Sequence, residues 1–313
     1  MSDVKIVFFG SSEFAVKSLQ MLSQTHFRPI AVVTPIAKPK GRSLRVSVVP
    51  VEKFARENGL RRLPMENVNS QHSIEIIKDL EPDICVVVAF GQIFREEILA
   101  IPKVAFLNAH ASLLPFFRGP APIQHAILNG NTTTGITVQK VVPEVDSGDI
   151  LVQKTTFIGT DEDAISLTER LSQIAGECLI DGLNMILSGN AIYRKQDASN
   201  ATYAPKIKIS DGLIQWGLDA TGIYNRIRAF VPFPCAWTYF RGKILKIWKA
   251  TIVSTEKFFL KPGTISDIKK NGLVVMCGRG SILVKEVQME SKRRICATDF
   301  ANGVRLSKEE VLG

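Results

Sequence analysis

Asn108, His110 and Asp146 are the residues of this sequence whose types and placement could do chemistry. A histidine exchanges protons near neutral pH. A carboxylate set against it orients the ring and favours its charged form, and a primary amide offers a fixed donor to negative charge developing on oxygen. Asn108 and His110 close an apolar run, Val104 to Asn108, while Asp146 lies in the loop Pro143 to Asp149 behind a second strand-like run, Gly135 to Val142. If the three meet, they point to addition of a nucleophile to a carbonyl with acid or base assistance. Read alone, a single histidine after a strand is equally a hydrogen-bonded structural residue, and Asp149 reads as a carboxylate that shapes its loop. Between the two runs, Ser112 to Ile123 is too rich in Pro, Gly and aromatic residues for a regular element and reads as a shaped loop before a helix over Ile123 to Asn129.

The elements that must position these groups alternate between strand and helix. Val4 to Phe9 is apolar and β-branched; Gly10 ends it, and Ser11-Ser12-Glu13 can start a helix whose Phe14, Val16, Leu19 and Leu22 recur near helical spacing. Pro29 to Thr34 and Asp83 to Phe90 read as further strands, with helices over Pro50 to Asn58 and His72 to Leu80. Continuous apolar strands joined by helices predict an α/β, doubly wound, mostly parallel sheet, with ligands beyond the carboxyl ends of its strands. Gly10 to Phe14 lacks G-x-G-x-x-G, and Glu13 would face an incoming pyrophosphate, so a dinucleotide site is a poor reading. Gly10 reads instead as a source of backbone freedom in the turn.

A long helix over 161–188 ends near Gly189, and the polar stretch Gln196 to Thr202 reads as part of a linker. Short alternating segments follow: Ala236 to Phe240, Lys243 to Lys249, Gly272 to Met276 and Ser281 to Val287. They predict a smaller, OB-like β-barrel C-terminal domain. The expected division is 1–189, a catalytic domain; 190–205, a linker; and 206–313, a basic barrel.

With 313 residues, 45% of them hydrophobic and 22% charged, the chain has material for about two domains and none of the bias of a disordered or collagenous sequence. No apolar run reaches the roughly 18 to 20 residues that span a bilayer. With no signal-peptide pattern at the N-terminus, the expectation is a cytoplasmic protein without a membrane partner. Cys85, Cys178, Cys235, Cys277 and Cys296 form no C-x-x-C pair and read as free thiols. The net charge of +9 is unevenly spread: 206–313 holds 19 Lys or Arg against 9 Asp or Glu, while 1–205 holds 20 against 21. Such a basic last third either meets an anionic partner or is a solvated surface.

Asn108-Ala109-His110-Ala111-Ser112-Leu113-Leu114-Pro115, with Arg118 to Gln124 and Asp146-Ser147-Gly148-Asp149, resembles the signature of the 10-formyltetrahydrofolate-dependent formyltransferases. Ser12 to Val16, Val87 to Gly91, Tyr203 to Ile207 and Asp299 to Gly303 extend the similarity along the chain, to the branch that formylates the methionine of initiator methionyl-tRNA. By that resemblance Asn108, His110 and Asp146 are the catalytic trio, and Ser112, Leu113, Leu114 and Pro115 belong to the folate-binding loop. 10-Formyltetrahydrofolate is the co-substrate, and no metal is required. Lys38, Lys40, Arg42 and Arg45 form a basic loop after a strand, expected to meet the tRNA acceptor stem, while the basic barrel holds the tRNA body. Ala37, Ser43-Leu44-Arg45 and His125 depart from the family's usual residues. Relatives that act on amino sugars, glycinamide ribonucleotide or water share the trio. The basic loop and the basic second domain favour tRNA, acted on by a monomer, while a noncatalytic RNA-binding protein would leave the trio without a purpose.

Overall fold

The computed structural model describes residues 4–37, 39–40, 45–46, 48–257 and 259–313. They form two compact units that interleave in sequence: one holds the residues through Pro122 together with Thr134–Phe157 and Thr168–Ala204; the other holds Ile123–Thr133, Ile158–Leu167 and Pro205–Gly313.

In the first unit the chain runs β1 (Ile6–Gly10), α1 (Glu13–Ser23), β2 (Ala31–Pro35), the two-residue strands β3 (Pro39–Lys40) and β4 (Arg45–Val46), α2 (Pro50–Glu57), β5 (Arg62–Met65), α3 (Gln71–Lys78), β6 (Ile84–Val88), α4 (Glu96–Leu99) and β7 (Ala105–His110). The chain then passes through α5 (Pro122–Leu128), which belongs to the second unit from Ile123 on, and returns with β8 (Thr133–Lys140), β9 (Ile150–Phe157) and most of α6 (Ala164–Leu187). One seven-stranded sheet has the order β5-β2-β1-β6-β7-β8-β9. β5, β2, β1, β6 and β7 pair in parallel, and β8 runs antiparallel to β7. Every residue of β1 and β6 is buried, which is why both read as continuous apolar runs: a central parallel strand has no solvent face. β1 lies between β2 and β6, so the chain leaves it on one side and returns on the other. The loops beyond this switch point are tied together, Ser11 Oγ donating to the Ala89 carbonyl at 2.6 Å.

Gly10 serves a different purpose from the conformational freedom expected of it. A Cβ there would stand 2.7 Å from the Phe8 ring and 3.0 Å from the Ala15 Cβ, so glycine lets α1 approach the end of β1. α1 buries Ala15, Ser18, Leu19 and Leu22, and behind β1 an aromatic cluster forms, Phe9 contacting Phe90, Phe94 and Phe106 at centroid distances of 5.7, 5.4 and 5.4 Å.

Residues 190–204, read from sequence as a linker, belong to the first unit. Arg194 exchanges two backbone hydrogen bonds with Ile150, and Arg118 N–H donates to the Thr202 carbonyl while Ala204 N–H donates to the Arg118 carbonyl. A polar composition concealed a segment whose order comes from these backbone bonds. β5 and β9 went unread because their residues alternate poorly: Arg62–Met65 holds a proline, and Val152 to Phe157 is largely exposed.

The second unit contains α7 (Ala220–Ala229), β10 (Ala236–Phe240), β11 (Lys243–Ser254), β12 (Ile265–Lys269), β13 (Gly272–Met276), β14 (Ser281–Met289), β15 (Ile295–Cys296) and α8 (Ala297–Val304). Its antiparallel sheet has the order β10-β11-β14-β13-β12, with β15 beside β14. The chain end spans the gap between the outer strands: Leu312 N–H donates to the Gly263 carbonyl and Gly313 N–H to that of Tyr239, while Glu309 N–H donates to the Ile265 carbonyl and Ile265 N–H to the Glu310 carbonyl. This satisfies edge groups that would otherwise template aggregation. Trp216, Ile223, Ile227, Phe240, Ile247 and Phe300 lie in the core, and Asp219 caps α7 by accepting from the Gly222 N–H at 2.7 Å. Four of the five cysteines are buried. Burial pushes the Cys178 thiol up to about 11 and those of Cys235 and Cys277 to about 12, which leaves them inert.

Candidate active site

β7 carries Asn108 and His110 to its carboxyl end, one pleat apart on the same face of the strand. Opposite lies β8, in register Asn108 to Gln139 and His110 to Thr137. β8 then leads into the loop that brings Asp146 back over β7. Two local features make that return possible. Asp146 itself adopts the left-handed region, φ 52°, a conformation that aspartate tolerates better than most residues. Gly148 sits where a Cβ would lie 1.9 Å from the Lys140 carbonyl oxygen, so only glycine lets the loop close on the end of β8.

The Asp146 carboxylate is saturated with donors. Oδ1 accepts from Asn108 Nδ2 at 3.2 Å and Gln139 Nε2 at 3.1 Å. Oδ2 accepts from the Gly119 N–H at 2.8 Å and faces His110 Nδ1 at 3.5 Å. On the other side of the ring, His110 Nε2 donates to the Phe117 carbonyl at 2.9 Å. A carbonyl accepts only, so Nε2 carries a proton; a ring protonated at Nδ1 as well, the imidazolium, meets both oxygens as a donor. With side-chain exposures of 7% for His110 and 12% for Asp146, water screens the pair little. Asn108 is less enclosed and uses one Nδ2 hydrogen on Asp146, which leaves its second as a fixed donor.

The three sequence-predicted groups are thus brought together. The loop 112–115 places its four residues in two environments. Ser112 is fully buried, its Oγ donating to the Phe116 carbonyl at 2.6 Å and its own carbonyl accepting from Thr137 Oγ1 at 2.7 Å. Leu114 is buried also, its N–H on Thr137 Oγ1 and its carbonyl taking Gln153 Nε2. Through these bonds the two residues hold the loop's shape, while Leu113 and Pro115 are half-buried and available to line a ligand. Of the basic loop, Lys38 and Arg42 lie outside the described residues, and Lys40 and Arg45 are backbone partners in the β3–β4 pair. Asp149 shapes its loop through its backbone, accepting from the Lys140 N–H at 2.9 Å. Sequence reasoning missed Gln139, Gly119 and Gln196. A polar side chain inside the buried run Gly135 to Gln139 was a usable signal for the first. Gln196 gave none, because its neighbours are polar as well.

Two family models cover most of the chain: formyl transferase matches residues 4–183, and formyl transferase, C-terminal domain, matches 206–305. The chain belongs to the formyl transferase family. A methionyl-tRNA formyltransferase of Geobacter sulfurreducens is 40% identical over 313 residues, which is 100% of this chain and 98% of the relative. That of Geobacter metallireducens is 41% identical over 100% of both. Among solved structures, WlaRD, a sugar 3N-formyl transferase crystallised with dTDP and 5-N-formyl-THF, shares the fold with a TM-score of 0.68 at 20% identity, over 94% of this chain and 100% of that one. HypX from Aquifex aeolicus in complex with tetrahydrofolic acid has a TM-score of 0.66 at 16% identity; 99% of this chain is covered but only 49% of HypX. Among the described residues no group of three or more His, Cys, Asp or Glu is placed to hold a metal ion, and no helix is long and apolar enough to cross a membrane.

Proposed function

We propose that this chain is an enzyme that transfers the formyl group of 10-formyltetrahydrofolate to the α-amino group of methionine on initiator methionyl-tRNA, acting as a cytoplasmic monomer. The observation that carries the reading is the convergence of Asn108, His110 and Asp146 at the end of β7, in a chain about 40% identical along its whole length to methionyl-tRNA formyltransferases.

10-Formyltetrahydrofolate supplies an activated formyl carbonyl; the half-buried Leu113 and Pro115 offer it apolar surface on a rigid loop. The remaining work falls to the protein's side chains. The α-amino group of an aminoacyl ester needs no strong base, since an amine of pKa about 8 keeps a useful neutral fraction near pH 7. As nitrogen bonds to the formyl carbon, the carbonyl electron pair moves to oxygen. The second Nδ2 hydrogen of Asn108 and the His110 imidazolium stabilise that oxyanion. Asp146 orients the ring through Nδ1 and, with water as carrier, helps relay the amine proton to the folate nitrogen that departs as the oxyanion collapses and the bond from the formyl carbon to N10 breaks. Lys38, Lys40, Arg42, Arg45 and the cations of 206–313 attract the tRNA phosphates; they position the RNA without identifying it.

The test is formation of N-formylmethionyl-tRNA by the purified protein from its two substrates. The wild type turns over, and a folded His110→Ala variant loses transfer. Full activity in that variant would sink the assigned role.

A further inference from the structure

The orientation of the Asp146 carboxylate is set from a distance. Arg118 is buried, 7% exposed, and its Nε and Nη2 both donate to Gln196 Oε1, at 3.1 and 2.7 Å. A guanidinium has donors only, so it fixes which end of the Gln196 amide faces it. The opposite end, Nε2, then points at three acceptors: the Asp146 carbonyl at 2.9 Å, the Gly148 carbonyl at 2.7 Å and Gln139 Oε1 at 3.0 Å. The last contact fixes the Gln139 amide in turn, which directs Gln139 Nε2 to Asp146 Oδ1. Each amide can face one way only, from the guanidinium to the carboxylate. Gln196 also bonds the carbonyl of Asp146, which holds a left-handed φ, and that of Gly148 two residues on.

We infer that Gln196, oriented by Arg118 and acting through Gln139, is a positioning residue for formyl transfer. The inference rests on the reading given above. Arg118 is placed for this by the segment 194–204, because Thr202 and Ala204 bond its backbone and its neighbour Gly119 donates to Asp146 Oδ2. The segment that leads out of the catalytic unit therefore also braces the carboxylate.

Gln196→Glu keeps the shape and the acceptor for Arg118 but removes every Nε2 donor, so Gln139 loses its fixed direction. The expected result is a kcat lower by roughly 10–100-fold, the range typical of supporting residues behind a reactive group, with KM for the folate within about two-fold. Gln139→Met, which deletes the last N–H of the chain while leaving Gln196 intact, gives the same split and decides the matter should the first variant not fold. Folded variants with kcat within about two-fold of wild type overturn the inference, as does a raised KM at unchanged kcat. Wild-type protein inert in the same assay overturns the formyl-transfer reading instead. The amide chain is then judged by hydrogen exchange of the Gln139 side-chain NH2, slow in the wild type and fast in Gln196→Glu if the relay holds, and equal in both if it does not.

Discussion

Asp146→Asn keeps the volume of the side chain and removes its charge, and the surroundings of the carboxylate allow the consequence to be worked out. His110 Nδ1 stands 3.5 Å from Oδ2. At an effective dielectric constant of about 20, opposite unit charges at that separation attract by about 5 kcal/mol, and both side chains are largely withdrawn from water. An asparagine forfeits this attraction and also meets a donor wherever it turns. With its NH2 in place of Oδ1 it faces the amides of Asn108 and Gln139; in place of Oδ2 it faces the Gly119 N–H. That mismatch costs a further ~1–3 kcal/mol, shared between stability and catalysis. If the imidazolium is needed only as charge develops, most of the 5 kcal/mol appears in the barrier, and kcat falls by about 10³ to 10⁴ at 1.36 kcal/mol per decade. Single-turnover formyl transfer at saturating folate, with thermal unfolding measured in parallel, reads both quantities. A folded Asp146→Asn variant within ten-fold of wild-type kcat would refute the charge argument.

Two other substitutions test the surrounding structure. Gly148→Ala sets a methyl group 1.9 Å from the Lys140 carbonyl oxygen, a backbone atom that has little room to yield; it lowers stability by about 1–3 kcal/mol and kcat together, read from a denaturant melt and the transfer assay, and an unchanged melt contradicts the packing argument. Glu310→Gln removes the negative charge of the ion pair that ties the chain end of the second unit to Arg241 at 2.7 Å. The Arg241 guanidinium and the Ser307 donors hold the Glu310 carboxyl down at about 2, against an ordinary 4.5. Because the folded value is the lower one, the stabilisation is complete above about pH 4.5 and fades as pH falls towards 2. The pair is solvent-exposed and its contribution small, seen as a gap in urea midpoint between wild type and variant at pH 7 that closes near pH 2; a gap that persists at pH 2 refutes the assignment.

The parts of this protein legible in its sequence are those where one physical demand dominates. β1 and β6 are buried on both faces, so their residues are apolar throughout, and the doubly wound sheet follows from them. Asn108 and His110 are legible because they interrupt such a run at its carboxyl end. Gln196 and Arg118 are not, since a glutamine that orients a neighbour looks the same in sequence as one facing solvent, and the contact joins residues 78 apart. Ser112 shows how little a motif says of each side chain: it stands in a stretch that resembles a ligand loop, and its hydroxyl bonds the Phe116 carbonyl within that loop. The boundary between units was blurred for a related reason. Segments 123–133 and 158–167 pack with the second unit, and local composition carries no trace of a partner more than fifty residues away.

The acceptor is the central claim, and a competition between acceptors tests it most directly. Purified protein and 10-formyltetrahydrofolate are given charged initiator tRNA, an amino sugar nucleotide, glycinamide ribonucleotide and water in parallel, with kcat/KM measured for each at low and high salt. The account predicts transfer to methionyl-tRNA with a kcat/KM at least about 10³ above the other acceptors and falling steeply as salt rises, because Lys and Arg neutralise phosphates. Preferred transfer to the sugar nucleotide, or a methionyl-tRNA rate indifferent to salt, would contradict it.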